Sequence, residues 1–154
     1  MQTIAIGCDE NGLELKAAIV SYLETNGCKV DDFGTTPGAV EDYPDVAERV
    51  SRRVAAGDYD RAILICGTGL GMAIAANKVH GVRAASVTDP FSAERARKSN
   101  NAQVLCLGAQ VIGAPVAEIL VQHWLDSEFA GGRSTRKVDK LIDLDDRARG
   151  VAAS

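Results

Sequence analysis

Apolar and polar positions along this chain follow two alternating rhythms. Short, nearly continuous apolar runs of strand length lie at 3–8, 28–33, 61–66, 82–87 and 103–107. Between them apolar residues recur at helical spacing. Leu13, Leu15, Ala18, Ile19, Tyr22 and Leu23 mark one face of a helix over 12–26, with Gly27 as its C-terminal stop. Further helices are predicted over 44–56, with Pro44 near the first turn, over 70–79, and over 91–99 behind a Thr88-Asp89-Pro90 cap. Gly113 and Pro115 open another that runs through Trp124 and Leu125, and the charged tail carries a last helix at about 132–148. A β-α unit repeated five times with short connections predicts an α/β fold. Its five-stranded, mostly parallel sheet is covered by helices on both faces. No linker, low-complexity segment or solenoid repeat breaks the pattern, so 1–154 is expected to form one domain. Ligands of such sheets bind beyond the carboxyl ends of the strands. That selects the segments 8–12, 34–44, 67–71, 88–92 and 108–113.

Composition narrows the chemistry. The chain is 46% apolar and 25% charged, which excludes a disordered segment. A net charge of −4, no basic run and few aromatics point away from nucleic acid. No apolar stretch approaches the roughly 18–20 residues of a membrane span. The first residues lack a basic region followed by an apolar one, so a cytoplasmic location is expected. The four cysteines, Cys8, Cys28, Cys66 and Cys106, form no CxxC pair, and there are only two histidines. Neither a zinc site nor a histidine-rich metal site is expected, and the thiols suit a reducing compartment.

The densest chemical signal is Cys66-Gly67-Thr68-Gly69-Leu70-Gly71, where an apolar run ends and a small-residue helix begins. Glycines let successive N–H groups face one concavity, and the helix start adds positive dipole. Such a loop holds an anion or a developing oxyanion, and a thiol there has its thiolate stabilised. Thr68 adds a hydroxyl at the same point. The loop is not a P-loop, because no Gly-Lys-Ser/Thr follows. Nor is it a dinucleotide fingerprint, because Met72 stands where glycine is needed. The plainer alternative is a tight strand-to-helix turn with Cys66 as a small buried apolar residue. Asp9-Glu10 ends the first apolar run; it serves either the cleft or as loop charge capping the next helix. A phosphoacceptor receiver domain is excluded, because the third run ends in Cys66 and not aspartate. Ser99-Asn100-Asn101 reads as a polar helix end. Arg133 and Lys137, four apart, share a helical face that is either a phosphate clamp or simply solvated.

Taken together these motifs resemble the family of type B ribose-5-phosphate isomerases and galactose-6-phosphate isomerase subunits. The likeness is carried by Ile6-Gly7-Cys8-Asp9, Asp32-Phe33-Gly34-Thr35, Asp42-Tyr43-Pro44 and the run Ile-Cys-Gly-Thr-Gly-Leu-Gly-Met at 65–72. Ala75-Ala76-Asn77-Lys78-Val79, Asn100 with Ala102, Leu107-Gly108-Ala109, Gly131-Gly132-Arg133 and Val138-Asp139 extend it over nearly the whole chain. The resemblance implies a single Rossmann-like three-layer α/β/α domain. It implies a homodimer or dimer of dimers with active sites at the subunit interface. It also implies aldose–ketose isomerisation of a small-molecule sugar phosphate without metal or organic cofactor. By the same resemblance Cys66 is the base of a 1,2 proton transfer through a cis-enediolate, helped by Thr68. The N–H groups around Gly67, Gly69 and Gly71 stabilise the enediolate oxygen. Asp9, Tyr43 and Asn100 orient substrate oxygens, and Arg133, with Lys137 on its face, meets the phosphate.

The chain also departs from that pattern. Glu10, Ser99 and Ser134 stand where the family usually has histidine, and Gln110 and Lys137 where it usually has arginine. The histidine replaced by Ser99 is the one credited with opening the sugar ring; the others help hold the phosphate. A tetrose 4-phosphate cannot close a furanose ring, because its 4-oxygen is esterified, and so needs no ring opening. Branches acting on erythrose or erythrulose 4-phosphate are similar to this chain in Ser-Asn-Asn-Ala-Gln at 99–103 and Gly-Arg-Ser at 132–134. A tetrose 4-phosphate is therefore favoured over ribose 5-phosphate. The competing expectation is a non-catalytic or heteromer-forming subunit of a galactose-6-phosphate isomerase type complex, against which the retained Cys66, Thr68 and three glycines count. A generic nucleotide-binding module would need a glycine loop after the first run, where Cys8-Asp9-Glu10-Asn11-Gly12 lacks it.

Overall fold

The computed structural model describes residues 1–151; the last three positions of the expected 1–154 domain lie outside the described residues. The strands are β1 Thr3–Cys8, β2 Lys29–Asp32, β3 Ala62–Cys66, β4 Ala84–Ser86 and β5 Val104–Gly108. The helices are α1 Leu13–Thr25, α2 Tyr43–Ala55, α3 Leu70–Asn77, α4 Pro90–Lys98, α5 Ala114–Leu125 and α6 Arg133–Ala148. The sheet order is β2-β1-β3-β5-β4 and every pairing is parallel, so "mostly parallel" becomes wholly parallel.

Local signals explain most boundaries. At the head of α4 the Asp89 carboxylate accepts the Ser92 N–H at 2.8 Å, and Pro90 fits the first turn, where no N–H is needed. Gly27 follows α1 with φ of +81°, the left-handed stop that a glycine allows. The run at 82–87 contracts to β4 because the Val82 N–H turns back to Val79 O at 3.1 Å. A 3-10 turn, Glu10–Gly12, precedes α1 and is closed by the Asp9 carboxylate on the Asn11 N–H at 3.0 Å.

The core divides by the two-residue period of the strands. Ile4, Ile6, Ile63, Ile65, Leu105 and Leu107 lie under α1, α4 and α5. Ala5, Leu64, Cys66, Val104 and Cys106 lie under α2 and α3 on the other face. Each fully buried aliphatic contributes roughly 1.5–3 kcal/mol, so the β3–β5 centre is a firm frame for the loop that follows Cys66. The chain leaves β1 for β2 on one side and returns to β3 on the other. The carboxyl ends of β1 and β3 therefore flank the switch point, the place where sheets of this kind bind ligands. The last helix, α6, buries only Val138 and lies at the opposite, amino-terminal edge of the sheet. The Ala130 N–H meets Lys98 O just before it. Its far end is tied down by His80 Nε2 with Asp146 Oδ1 at 2.7 Å and by the Gly81 N–H on Asp145 Oδ2 at 2.8 Å. No helix among the described residues is long and apolar enough to cross a membrane.

Candidate active site

Cys66 is the last residue of β3 and 4% exposed. The chain then doubles back so that the Gly69 N–H donates to Cys66 Sγ at 3.1 Å. Gly69 has φ of +79°, and a Cβ there would stand 3.0 Å from the Leu107 carbonyl carbon, so this turn admits only glycine. The other two glycines make room. A Cβ on Gly71 would meet the Tyr43 ring at 2.7 Å, and one on Gly67 would meet Gln110 Oε1 at 2.8 Å. The Tyr43 ring thus lies on the first turn of α3 and the Gln110 amide lies on the loop. Thr68 is exposed, and its Oγ accepts the Leu70 N–H at 3.3 Å. Backbone donors, helix start, thiol and hydroxyl converge within 66–71, an arrangement suited to holding negative charge beside a base.

Asp9 follows β1 beside this loop. Its N–H reaches Ile65 O at 3.2 Å, one residue before Cys66. The side chain is 6% exposed, and burial pushes its carboxyl above the ordinary aspartate range against the opposing Asn11 N–H. The neighbouring thiols differ from Cys66 in setting. Cys106, on β5 and on the same face of the sheet, is fully buried and burial pushes its thiol far up; burial also raises Cys8. Both are packing residues.

The remaining expected site residues lie elsewhere in the chain. Asn100 is exposed between α4 and β5, where its carbonyl accepts Arg83 Nε at 3.2 Å. Arg133 and Lys137 lie on the first turns of α6, which begins just after the Ala130–Lys98 contact. These three belong to the amino-terminal edge. The four steps from Ala62 to Cys66, at about 3.3 Å each, put that edge about 13 Å from the end of the strand that carries the thiol. One chain therefore brings together Asp9, Tyr43, Cys66, Gly67, Thr68, Gly69 and Gly71, and leaves Asn100, Arg133 and Lys137 apart. The structure adds Ser86, at the end of β4, whose hydroxyl oxygen would stand 3.1 Å from a Cβ on Gly69. Its signal was its place at a strand's carboxyl end, just ahead of the segment 88–92.

Residues 4–141 match the family model described as Ribose/Galactose Isomerase. The chain is 52% identical over 146 residues to the ribose-5-P isomerase B of Listeria innocua, covering 95% of this chain and 99% of the relative. It is 50% identical over 142 residues to the D-erythrulose-4-phosphate isomerase of Pectobacterium atrosepticum, covering 92% and 93%. Among solved structures, the ribose-5-phosphate isomerase B of Clostridium thermocellum superposes with a TM-score of 0.92 at 43% identity, over 96% of this chain and 99% of that one. The chain belongs to the ribose/galactose isomerase family. It is an isomerase of the aldose–ketose class, built on the Rossmann-like fold of that family.

In this ribose/galactose isomerase the departures from the family pattern have definite places. The Ser99 hydroxyl accepts Arg95 Nε at 2.8 Å and Nη2 at 2.5 Å, so a guanidinium already occupies it. Gln110 puts a neutral amide on the 67–71 loop. Glu10 is exposed next to Asp9, and Ser134 and Lys137 stand on the first turns of α6 at the other edge.

Proposed function

We propose that this chain interconverts a short-chain aldose phosphate and its ketose by 1,2 proton transfer, with Cys66 as the base. The observation that carries this is the Cys66 thiol at a strand end, accepting the Gly69 N–H inside a loop of backbone donors. The thiolate takes the proton from the carbon beside the carbonyl, and the bond's electrons move onto the carbonyl oxygen to give a cis-enediolate. The thiol then returns the proton to the former carbonyl carbon, while the hydroxyl proton passes between the two oxygens. N–H groups of 67–71 meet the developing oxyanion, and Thr68, Asp9 and Tyr43 orient the oxygens.

Asn100, Arg133 and Lys137 are proposed to come from a second copy. Leu70 and Ile74, on the helix that follows the catalytic loop, are 59% and 62% exposed. At the opposite edge a cavity of about 760 Å³ is walled by Val82, Ala84, Ala102, Leu141, Ile142 and Leu144, with Asn100 at its side. Seating α3 of one copy in that cavity of its partner covers both apolar surfaces and brings Cys66 to Asn100. The arrangement is a homodimer or a dimer of dimers with its active sites between subunits.

The favoured substrate is a tetrose 4-phosphate, erythrulose or erythrose 4-phosphate, over ribose 5-phosphate. Ser99, already held by Arg95, offers no acid for ring opening, and of these two sugars only the pentose phosphate requires that step. Steady-state assays of one preparation on tetrose, pentose and hexose phosphates decide it. A higher kcat/KM for erythrulose 4-phosphate than for ribose 5-phosphate is expected; an equal or lower one overturns the preference.

A further inference from the structure

At the amino-terminal edge, away from Cys66, a second cavity of about 420 Å³ is lined by three arginines from three different segments. Arg61 precedes β3, Arg83 precedes β4, and Arg97 lies in the last turn of α4. Arg61 is satisfied. It donates to the carbonyls of Trp124, Leu125 and Ser127 and to Glu128 at 2.5 Å, which ties the end of α5 to the sheet. Arg97 donates to Ala102 O at 2.9 Å but reaches the other Glu128 oxygen only at 3.6 Å, and its buried Nε has no partner. The Arg83 guanidinium donates only to the Asn100 and Asn101 carbonyls, and among the described residues no carboxylate lies within 4.0 Å of it.

The charge balance of this cavity is incomplete. Three guanidiniums face two acids on the wall, Asp60 and Glu128. Glu128 is shared between Arg61 and Arg97, and its side chain is 79% exposed on the loop after α5. Burial works against the charge of all three arginines, and Arg97 also feels the like charges of Arg61 and Arg83. Like charges withdrawn from water are costly unless an opposite charge joins them. Guanidinium forks pair with oxyanions through two parallel N–H···O bonds, and Gln103 and Asn101 add neutral groups to the same wall.

We propose that this cavity binds a small oxyanion, of the phosphate or carboxylate class, with Arg83 and Arg97 as its principal cationic ligands and Glu128 as the competing carboxylate. It lies at the opposite edge of the chain from the Cys66 loop; Arg83 also borders the larger cavity, whereas Arg97 and Glu128 line only this one.

Calorimetric titration of the full chain with inorganic phosphate tests this in an Arg133→Met, Lys137→Met background. That background removes the cations assigned to substrate phosphate, and the dependence of the remaining binding on Arg83 and Glu128 separates the second cavity from the 66–71 loop. Saturable binding is expected. It tightens about fivefold on Glu128→Gln, as removal of one exposed competing charge allows, is lost on Arg83→Met, and weakens with added salt. A parallel titration with succinate assigns the source: the same variant dependence with succinate marks a carboxylate ligand, and binding of phosphate alone marks a phosphate. Two results overturn the site: no saturable binding of either anion, or binding indifferent to Glu128→Gln. The exposed Glu128 tolerates that change, so the test stands even where Arg83→Met fails to fold.

Discussion

Cys66 and Cys106 share one face of the same sheet, yet their surroundings separate them. Cys106 is sealed among aliphatic side chains, whereas Cys66 meets a donor from its own loop. Cys66→Ala is expected to lower kcat by about 10²–10⁴, the usual contribution of a positioned base, while circular dichroism and the melting temperature show the fold intact. Asp9 carries a pH signature. Burial raises its carboxyl above the ordinary range, so the folded chain holds that proton more tightly than the unfolded chain does. The stability this gives is full in acid. It is lost as pH climbs from the ordinary aspartate range through the raised value, and at neutral pH the buried charge is a cost. Asp9→Asn, which keeps an acceptor for the Asn11 N–H, should hold or raise the melting temperature at pH 7. It should also flatten the acid limb of the stability profile and lower kcat; a lower melting temperature at pH 7 contradicts this. Cys66 and Asp9 were legible because each terminates an apolar run. Arg61, Arg83 and Arg97 were not, because their convergence depends on three connections that no local motif records.

The five strands and six helices were readable from periodicity, caps and prolines, since each signal is local. What those signals do not carry is order across the sheet, and with it which edge receives each loop. Asn100 read on its own as a polar helix end, and entered the site only through the family resemblance. It follows a helix and precedes a strand, whereas 66–71 follows a strand, so a wholly parallel sheet sends them to opposite edges. The last helix was expected at about 132–148 as a charged element, with no apolar role assigned to it. Its Leu141 and Ile142, each more than 40% exposed, instead form one wall of the larger cavity. A Leu141→Lys, Ile142→Lys pair should leave the melting temperature of the isolated chain nearly unchanged, because neither side chain is buried within it. On the proposed pairing the same change shifts the sedimentation profile toward monomer and removes activity. A fully active, unchanged oligomer would rule out α6 as part of the interface.

For the whole molecule, the fold explains why a thiol, a carboxylate and backbone donors meet at the β1/β3 switch point, and why the cations remain on the far edge. On the proposed pairing, a single chain holds two half-sites at opposite edges, and a two-fold partner joins them into whole ones. The decisive measurement is complementation. Cys66→Ala and Asn100→Ala chains are co-expressed, and turnover of the mixture is compared with that of each variant alone. Each variant alone should be severely impaired. Random pairing makes half of the dimers mixed, each with one intact site, so the mixture should recover about a quarter of the wild-type rate. A mixture no more active than the sum of its two parent variants would contradict a site shared between Cys66 of one chain and Asn100 of its partner.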